Sequence, residues 1–350
     1  MRPGSETTGK RSSLALPLLE VSHLSKAFPV RGGLLGRTIA HVRAVDDVSF
    51  VLHAGEVLAV VGESGSGKST VAQLLMHLVS RDQGSIHLEG ASVGAKDGIT
   101  VRQLRRSMQI VFQDSYAALN PRLTVFETLV YGPRSNGASR HTSAMRAEKL
   151  LDEVGLDPAR FAARYPHELS GGQRQRVNIA RALSLDPRII ILDEAVSALD
   201  KSVEAQILNL LVTLKRELDL QYIFISHDLN VVEYISDRVM VMYLGTVVEQ
   251  AATDAIFSRP RHPYTRALLT SKPTIDPRRR TTELPIQGEM PNPMSPPSGC
   301  RFRTRCPFAD DVCAAQVPRT ITVDQAANHQ VACHMADPLS SHSRAAGMPA

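Results

Sequence analysis

The sequence predicts an α/β protein: a mainly parallel sheet with helices on both faces, a helical subdomain inserted into it, and a small irregular C-terminal extension. Three observations lead there. From Leu18 to Glu249, short β-branched apolar runs alternate with helix-period patterns. Between the apolar runs ending near 112 and beginning near 188, about 75 residues read as helix and loop only, too long for a simple crossover. Beyond Arg259 the composition changes, with nine prolines between Pro260 and Pro297, the basic run Arg278-Arg279-Arg280, and all four cysteines.

Residues 1–16 are polar, charged and aperiodic, which predicts a disordered tail. Strands are expected near 18–28, 45–52, 57–61, 85–89, 109–112, 188–193 and 221–226, with a hairpin over 237–249 turning at Leu244-Gly245. Helices are expected over 67–79, 143–154, 171–185, 202–218 and 228–235. The domain boundaries that follow are an α/β unit at 17–258 with its helical subdomain at about 114–185, an extension at 259–335, and a second disordered tail at 336–350. The sequence contains no internal repeat.

At 350 residues and 43% hydrophobic content the chain can bury a large core. No apolar run approaches the ~18 residues that span a bilayer; even RIIILDEAVSAL is cut by Asp193 and Glu194. The first twenty residues carry basic groups but only a brief apolar stretch holding Pro17, so a secretory leader is not expected and the chain should stay in the cytosol. Residues 1–258 hold 28 Lys+Arg against 28 Asp+Glu and residues 259–350 hold 12 against 7, so the net +5 lies wholly in the last quarter. So modest an excess reads as a solvated face, and no nucleic-acid partner is expected.

The stretch AVVGESGSGKST sets an apolar strand against a glycine-rich loop, Gly62, Glu63, Ser64, Gly65, Ser66, Gly67, Lys68, Ser69 and Thr70, followed by a helical pattern. Such a loop turns successive backbone N–H groups inward around phosphate oxygens, and the helix adds its positive end. Lys68 would reach the β- and γ-phosphates of a nucleotide and Ser69 would hold Mg²⁺. The run RIIILDE ends a buried strand in two carboxylates at the edge where ligands of parallel sheets gather. Asp193 is then placed for Mg²⁺ and Glu194 for orienting and polarising an attacking water. In ELSGGQRQRVNIARAL, Ser170 is a good helix cap, yet Gly171 and Gly172 in the first turn are costly unless backbone N–H groups must approach an anion.

These motifs together resemble the ATP-binding cassette (ABC) family over roughly residues 18–258, a P-loop NTPase fold. LSGGQRQR, with Ser170, Gly171, Gly172 and Gln173, is similar to the family signature, and the other elements follow in the family's order. The resemblance implies that Phe28 stacks on adenine, that Gln113 touches Mg²⁺ and links the site to the helical subdomain, that Asp200 lies in a loop crossing a dimer interface, and that His227 contacts the γ-phosphate. It implies ATP sandwiched between the phosphate loop of one subunit and the signature of another. One departure is LDEAVSALD, where many relatives have Pro-Thr or Pro-Ser after the Glu; the acidic pair is intact.

The cysteines Cys300, Cys306, Cys313 and Cys333 have the spacing C-x5-C-x6-C-x19-C. In a cytosolic chain this clustering favours a metal over disulfides, and four thiolates suit Zn²⁺ or an iron–sulfur cluster. With no C-x2-C pair and with Arg301, Arg303 and Arg305 interleaved as counter-charges, a [4Fe-4S] cluster is expected ahead of zinc. The segment also resembles the extension on ATPases of oligopeptide and dipeptide importers. The resemblance implies an ATP-hydrolysing subunit on the cytoplasmic face of the inner membrane. Its partners would be a second cassette ATPase (a paralogue or a second copy), two permease subunits and, indirectly, a solute-binding protein. Close relatives carry nickel, glutathione or other small solutes, and a soluble non-transport cassette is a further alternative.

Overall fold

The computed structural model of the protein describes residues 16–32, 36–271, 288–325 and 327–345. Two long strands, β1 (Leu19–Gly32) and β2 (Arg37–Leu52), precede β3 (Val57–Val61), helix α1 (Lys68–Leu75), β4 (Gln83–Leu88), β5 (Ala91–Ser92), α2 (Val101–Ser107) and β6 (Met108–Val111). Four helices follow with no strand between them: α3 (Val125–Ser135), α4 (Arg140–Glu153), α5 (Pro158–Phe161) and α6 (Gly171–Leu183). Then come β7 (Ile189–Asp193), α7 (Lys201–Glu217), β8 (Gln221–Ile225), α8 (Leu229–Ile235), β9 (Arg238–Tyr243), β10 (Thr246–Ala252), α9 (Thr253–Ser258) and α10 (Pro263–Thr270). The extension adds α11 (Asp311–Ala315), β11 (Ile321–Asp324) and β12 (His329–Val331).

The main sheet runs β11-β12-β10-β9-β3-β8-β7-β6, and its five strands from β9 to β6 are parallel. In β3, β7, β8 and β9 every residue is buried, as strands covered on both faces require. Alternation sorts them between two cores: Val57, Ala59 and Val61 face the side packed by α6 and α7, and Leu58 and Val60 face the side packed by α1. To the expected mainly parallel sheet the structure adds a second sheet at the N-terminus. There β2-β1-β4-β5 form a separate antiparallel sheet. The alternating burial along LEVSHL marks a one-faced strand, which an antiparallel sheet accommodates and a doubly covered parallel sheet does not.

The extension is not a free-standing unit. Strand β12 pairs antiparallel with β10, Glu249 opposite Val331 and Gln250 opposite Gln330, so the extension lengthens the main sheet by two strands. Beneath this seam the buried Glu249 carboxylate accepts from the backbone N–H of Arg261 (2.6 Å) and His262 (2.9 Å) and pairs with His329 Nε2 (2.6 Å). Phe302 packs edge-on against Tyr243, with ring centroids 5.3 Å apart, and lies 5.4 Å from Tyr264. Residues 337–345 fold back on the extension instead of forming a tail from 336. Asp337 accepts from Arg319 at 2.5 Å and 2.8 Å, and His342 Nε2 lies 2.9 Å from the Phe308 carbonyl oxygen. Residues 1–15 of the expected tail at 1–16, the end of the expected C-terminal tail at 346–350 and the run Arg278–Arg280 lie outside the described residues.

His262 makes this docking sensitive to acid. Its Nδ1 accepts from the Tyr264 N–H at 3.0 Å, which protonation would abolish, and burial pulls its pKa down to about 4 against the opposing pull of Glu249. In the unfolded chain the ring titrates near ~6.5, so the unfolded state takes up this proton first. Stability is therefore expected to fall as pH drops from about 6.5 toward 4, by up to ~1.4 kcal/mol per pH unit. Melting temperatures measured across that range check it. The slope should flatten in His262→Gln; identical slopes in the two chains would contradict the assignment.

Candidate nucleotide-binding site

The carboxyl ends of β3, β6, β7 and β8 lie along one edge of the parallel sheet, and each delivers part of one cleft of about 660 Å³, the size of a small-molecule site. After β3 the chain turns through the phosphate loop into α1, whose first turn has no side-chain cap. At Gly67 φ is 102°, and a Cβ there would sit 2.2 Å from the Ala44 carbonyl oxygen; at Gly62 it would sit 2.2 Å from that of Met242. Only glycine fits either position. Lys68 is 5% exposed, and its Nζ donates to the carbonyls of Gly62 (2.8 Å) and Glu63 (3.0 Å). Burial lowers its pKa, while the charges of Glu194, Asp193 and Glu63 oppose the shift. An ammonium held among loop oxygens, beside uncapped helical N–H groups, fits a polyphosphate.

Ser69 Oγ donates to Asp193 Oδ1 at 3.0 Å, a hydroxyl–carboxylate pair suited to a hard divalent cation. Burial holds the Asp193 carboxyl above the usual carboxylate range, and the neighbouring Glu194 charge adds to the shift. Glu194 follows at φ 49°, in the left-handed region, with its N–H donating to the Ile225 carbonyl at 3.0 Å. Backbone strain of this kind is held where a side chain must be aimed. Its Oε2 accepts from Gln113 Nε2 at 2.8 Å and lies 3.4 Å from His227 Nδ1. Gln113 from beyond β6 and His227 from beyond β8 thus converge on one oxygen of Glu194, the residue just after β7.

Phe28, Ser64, Gly65, Gly67, Lys68, Ser69, Thr70, Gln113, Glu194 and His227 line the cleft. Gly62, Glu63, Ser66 and Asp193 support it from behind. The sequence did not point to Val42, Arg43, Ala44, Leu244 and Pro293, which also line it. Pro293 comes from the extension.

Ser170, Gly171, Gly172 and Gln173 do not line this cleft. Ser170 Oγ accepts from the Gln173 N–H at 3.3 Å while Gln173 Oε1 accepts from the Ser170 N–H at 3.0 Å, a reciprocal cap on α6. At Gly172 a Cβ would meet Val203 Cγ1 at 2.6 Å, so this glycine answers to the packing of α6 on α7; at Gly171 the nearest atom is 3.8 Å away. Asp200 caps α7 by accepting from the N–H of Val203 (2.9 Å) and Ser202 (3.1 Å), and the Val203 bond leads in holding its carboxyl below the usual range.

For the cysteines the geometry gives less than the spacing promised. Among the described residues no three His, Cys, Asp or Glu side chains are grouped to hold a metal ion, so neither the zinc site nor the cluster gains support. Cys300, Cys306, Cys313 and Cys333 do line one narrow apolar cavity. Burial raises the thiols of Cys300, Cys306 (to about 11) and Cys333 (to about 12), which keeps them protonated at neutral pH. Two of the three expected counter-charges are engaged elsewhere: Arg301 with Asp46 and the Leu244 carbonyl, Arg305 with Glu63.

Residues 45–197 match the family model described as ABC transporter, and residues 248–313 match that of the oligopeptide/dipeptide transporter C-terminal region. The chain is 50% identical to the probable peptide ABC transporter ATP-binding protein y4tS of Sinorhizobium fredii, covering 93% of this chain and 91% of the relative. It is 46% identical to the oligopeptide transport ATP-binding protein AppF of Bacillus subtilis (91% and 97% covered) and 44% identical to the di/tripeptide transport ATP-binding protein DppF of Pseudomonas aeruginosa (91% and 98%). Among solved structures it resembles cbiO1 of Clostridium perfringens, part of an ABC transporter complex, with TM-score 0.59 and 28% identity over 69% of this chain and 91% of that one. A dimeric ATP-binding cassette in a post-hydrolysis state with ADP and Pi matches with TM-score 0.58 and 27% identity, over 67% and 98%. At 44% to 50% identity along 91% to 93% of its length, this chain belongs to the ABC transporter ATP-binding proteins, in the group that carries the oligopeptide/dipeptide transporter C-terminal region.

Proposed function

We propose that this ATPase energises the import of di- and oligopeptides through a membrane permease. The observation that carries the reading is the union, in one bonded unit, of a nucleotide cleft with a peptide-transporter type of extension that reaches the cleft through Pro293. Lys68 leaves the loop carbonyls for the β- and γ-phosphates, and Ser69, Asp193 and Gln113 are the residues that would hold Mg²⁺, which would neutralise phosphate charge when bound. Glu194 orients and polarises the attacking water, with His227 beside it at the γ-phosphate. Phe28 supplies the face for adenine. Ser170, Gly171, Gly172 and Gln173, which do not line the cleft of their own chain, serve the nucleotide of a second subunit across an interface that includes Asp200.

The helices between β6 and β7 carry the motion of Gln113 to two permease subunits, fed by a solute-binding protein. Among the described residues no helix is long and apolar enough to cross a membrane. The place we propose for the chain, as a peripheral subunit on the cytoplasmic face of the inner membrane, follows from the permease it would drive. Copurification with a multi-span membrane protein, then uptake of labelled dipeptides and oligopeptides into vesicles holding the complex, tests the reading. Uptake of nickel or glutathione in place of peptides would reassign the substrate, and the absence of any membrane partner would point to a soluble cassette.

From their spacing in the sequence we also propose that Cys300, Cys306, Cys313 and Cys333 form one metal centre, of the [4Fe-4S] type. Anaerobically purified protein is expected to be brown with about four irons per chain. One zinc per chain would replace the cluster, and a metal-free chain with a folded extension would remove the centre altogether.

A further inference from the structure

We propose that Arg305 is a positioning residue of the nucleotide site, which pins and neutralises the Glu63 carboxylate so that the phosphate loop offers no unpaired negative charge to the triphosphate. Glu63 is the first side chain of that loop after Gly62. It stands close enough to Lys68 for its charge to act on the ammonium, and its carbonyl accepts from Lys68 Nζ at 3.0 Å. A free carboxylate there would repel the anion that Lys68 attracts.

The extension supplies the remedy from 242 positions away in sequence. Arg305 Nη1 and Nη2 reach the two oxygens of Glu63 at 2.7 Å and 3.0 Å, a fork-to-fork pair, and Nη1 lies 3.4 Å from the Tyr243 hydroxyl. The Arg305 side chain is 6% exposed and that of Glu63 27%, so solvent screens the pair weakly. The backbone that carries the guanidinium is fixed: the Arg305 main-chain N–H donates to the Phe302 carbonyl at 2.9 Å, and Phe302 packs against Tyr243 and Tyr264. The Tyr264 hydroxyl accepts from the Glu63 N–H at 2.8 Å, so the extension grips this residue by backbone and side chain together.

A pair that served only to fasten the extension would have the same distances, so the test must separate charge from attachment. The inference rests on ATP binding at this loop, and Lys68→Ala in the same assay is the control for that reading. With the full chain, Arg305→Gln is expected to raise the KM for ATP about ten-fold, as for loss of one charge-assisted hydrogen-bonded pair, with kcat within about two-fold. Arg305→Lys, which keeps the charge but not the fork, should stay within about three-fold of the parent KM. Adding Glu63→Gln to Arg305→Gln removes the unpaired carboxylate and should restore KM to within about three-fold. An Arg305→Gln chain with unchanged KM would overturn the proposal. So would failure of Glu63→Gln to restore KM in the double variant, whether or not limited proteolysis finds the extension of Arg305→Gln intact. Loss of function in Arg305→Lys equal to that in Arg305→Gln would also count against it.

Discussion

A chain carrying Glu194→Gln is expected to bind ATP and close into a dimer while hydrolysing it about 10² to 10⁴ times more slowly, the range for loss of a general base. The change is nearly isosteric. The amide oxygen can still accept from Gln113, whose Nε2 now donates to Glu194 at 2.8 Å, and glutamine meets the same backbone strain at φ 49° as glutamate does. Ser69, Asp193 and the loop carbonyls that hold Lys68 make no hydrogen bond to this carboxylate, so the phosphate cradle survives. What disappears is the charge that would polarise water. Turnover under saturating ATP and size-exclusion chromatography with and without ATP measure the two halves of this expectation. Near-normal hydrolysis would remove Glu194 from its role.

Lys68→Ala should fail at an earlier step. The ammonium is buried among the carbonyls of Gly62 and Glu63 and the hydroxyl of Ser66, and a phosphate replaces neutral acceptors with charged ones. Hydrogen bonds to charged groups contribute about 1.5–3 kcal/mol, so ATP affinity is expected to drop by roughly 10- to 100-fold. Fold stability should change less, because removing the side chain also removes the desolvation that lowers its pKa. Equilibrium binding of a non-hydrolysable ATP analogue, with melting curves as the folding control, distinguishes this from collapse of the loop. Unimpaired affinity would contradict the account.

The nucleotide cleft was readable in the sequence because each of its parts is local. A buried strand followed by GESGSGKST, or RIIIL followed by Asp193-Glu194, places its chemistry within a few residues of a strand end, and the parallel sheet aligns those ends. Helix α3 was missed although its capping box at Thr124 and Glu127 was there to be seen; Gly132 and Pro133 are the poor helix formers within it. The first half of β2 was missed because it is largely exposed and lacks an apolar rhythm. Strand β12 holds three residues, too few for any period. Contacts with no sequence spacing were wholly illegible: the Arg305–Glu63 pair, the Tyr264 hydroxyl on the loop and Pro293 at the cleft. Gly172 was legible as unusual, but its fit against Val203 was not, since that depends on how α6 crosses α7.

The central claim is that one chain's cleft is completed by another chain's signature. Ser170 caps α6 and lies off the cleft that holds Lys68, so a lesion at either position should silence a different half of a shared site. Ser170→Arg puts a bulky cation where the partner's γ-phosphate must pack, and Lys68→Ala weakens the cradle. In a dimer of one chain of each kind, one composite site carries both lesions and the other carries none. The most direct measurement is the ATPase activity of the two purified variants alone and mixed. Activity in the mixture well above that of either variant is the expected result, whereas a mixture no more active than its components would contradict a shared site.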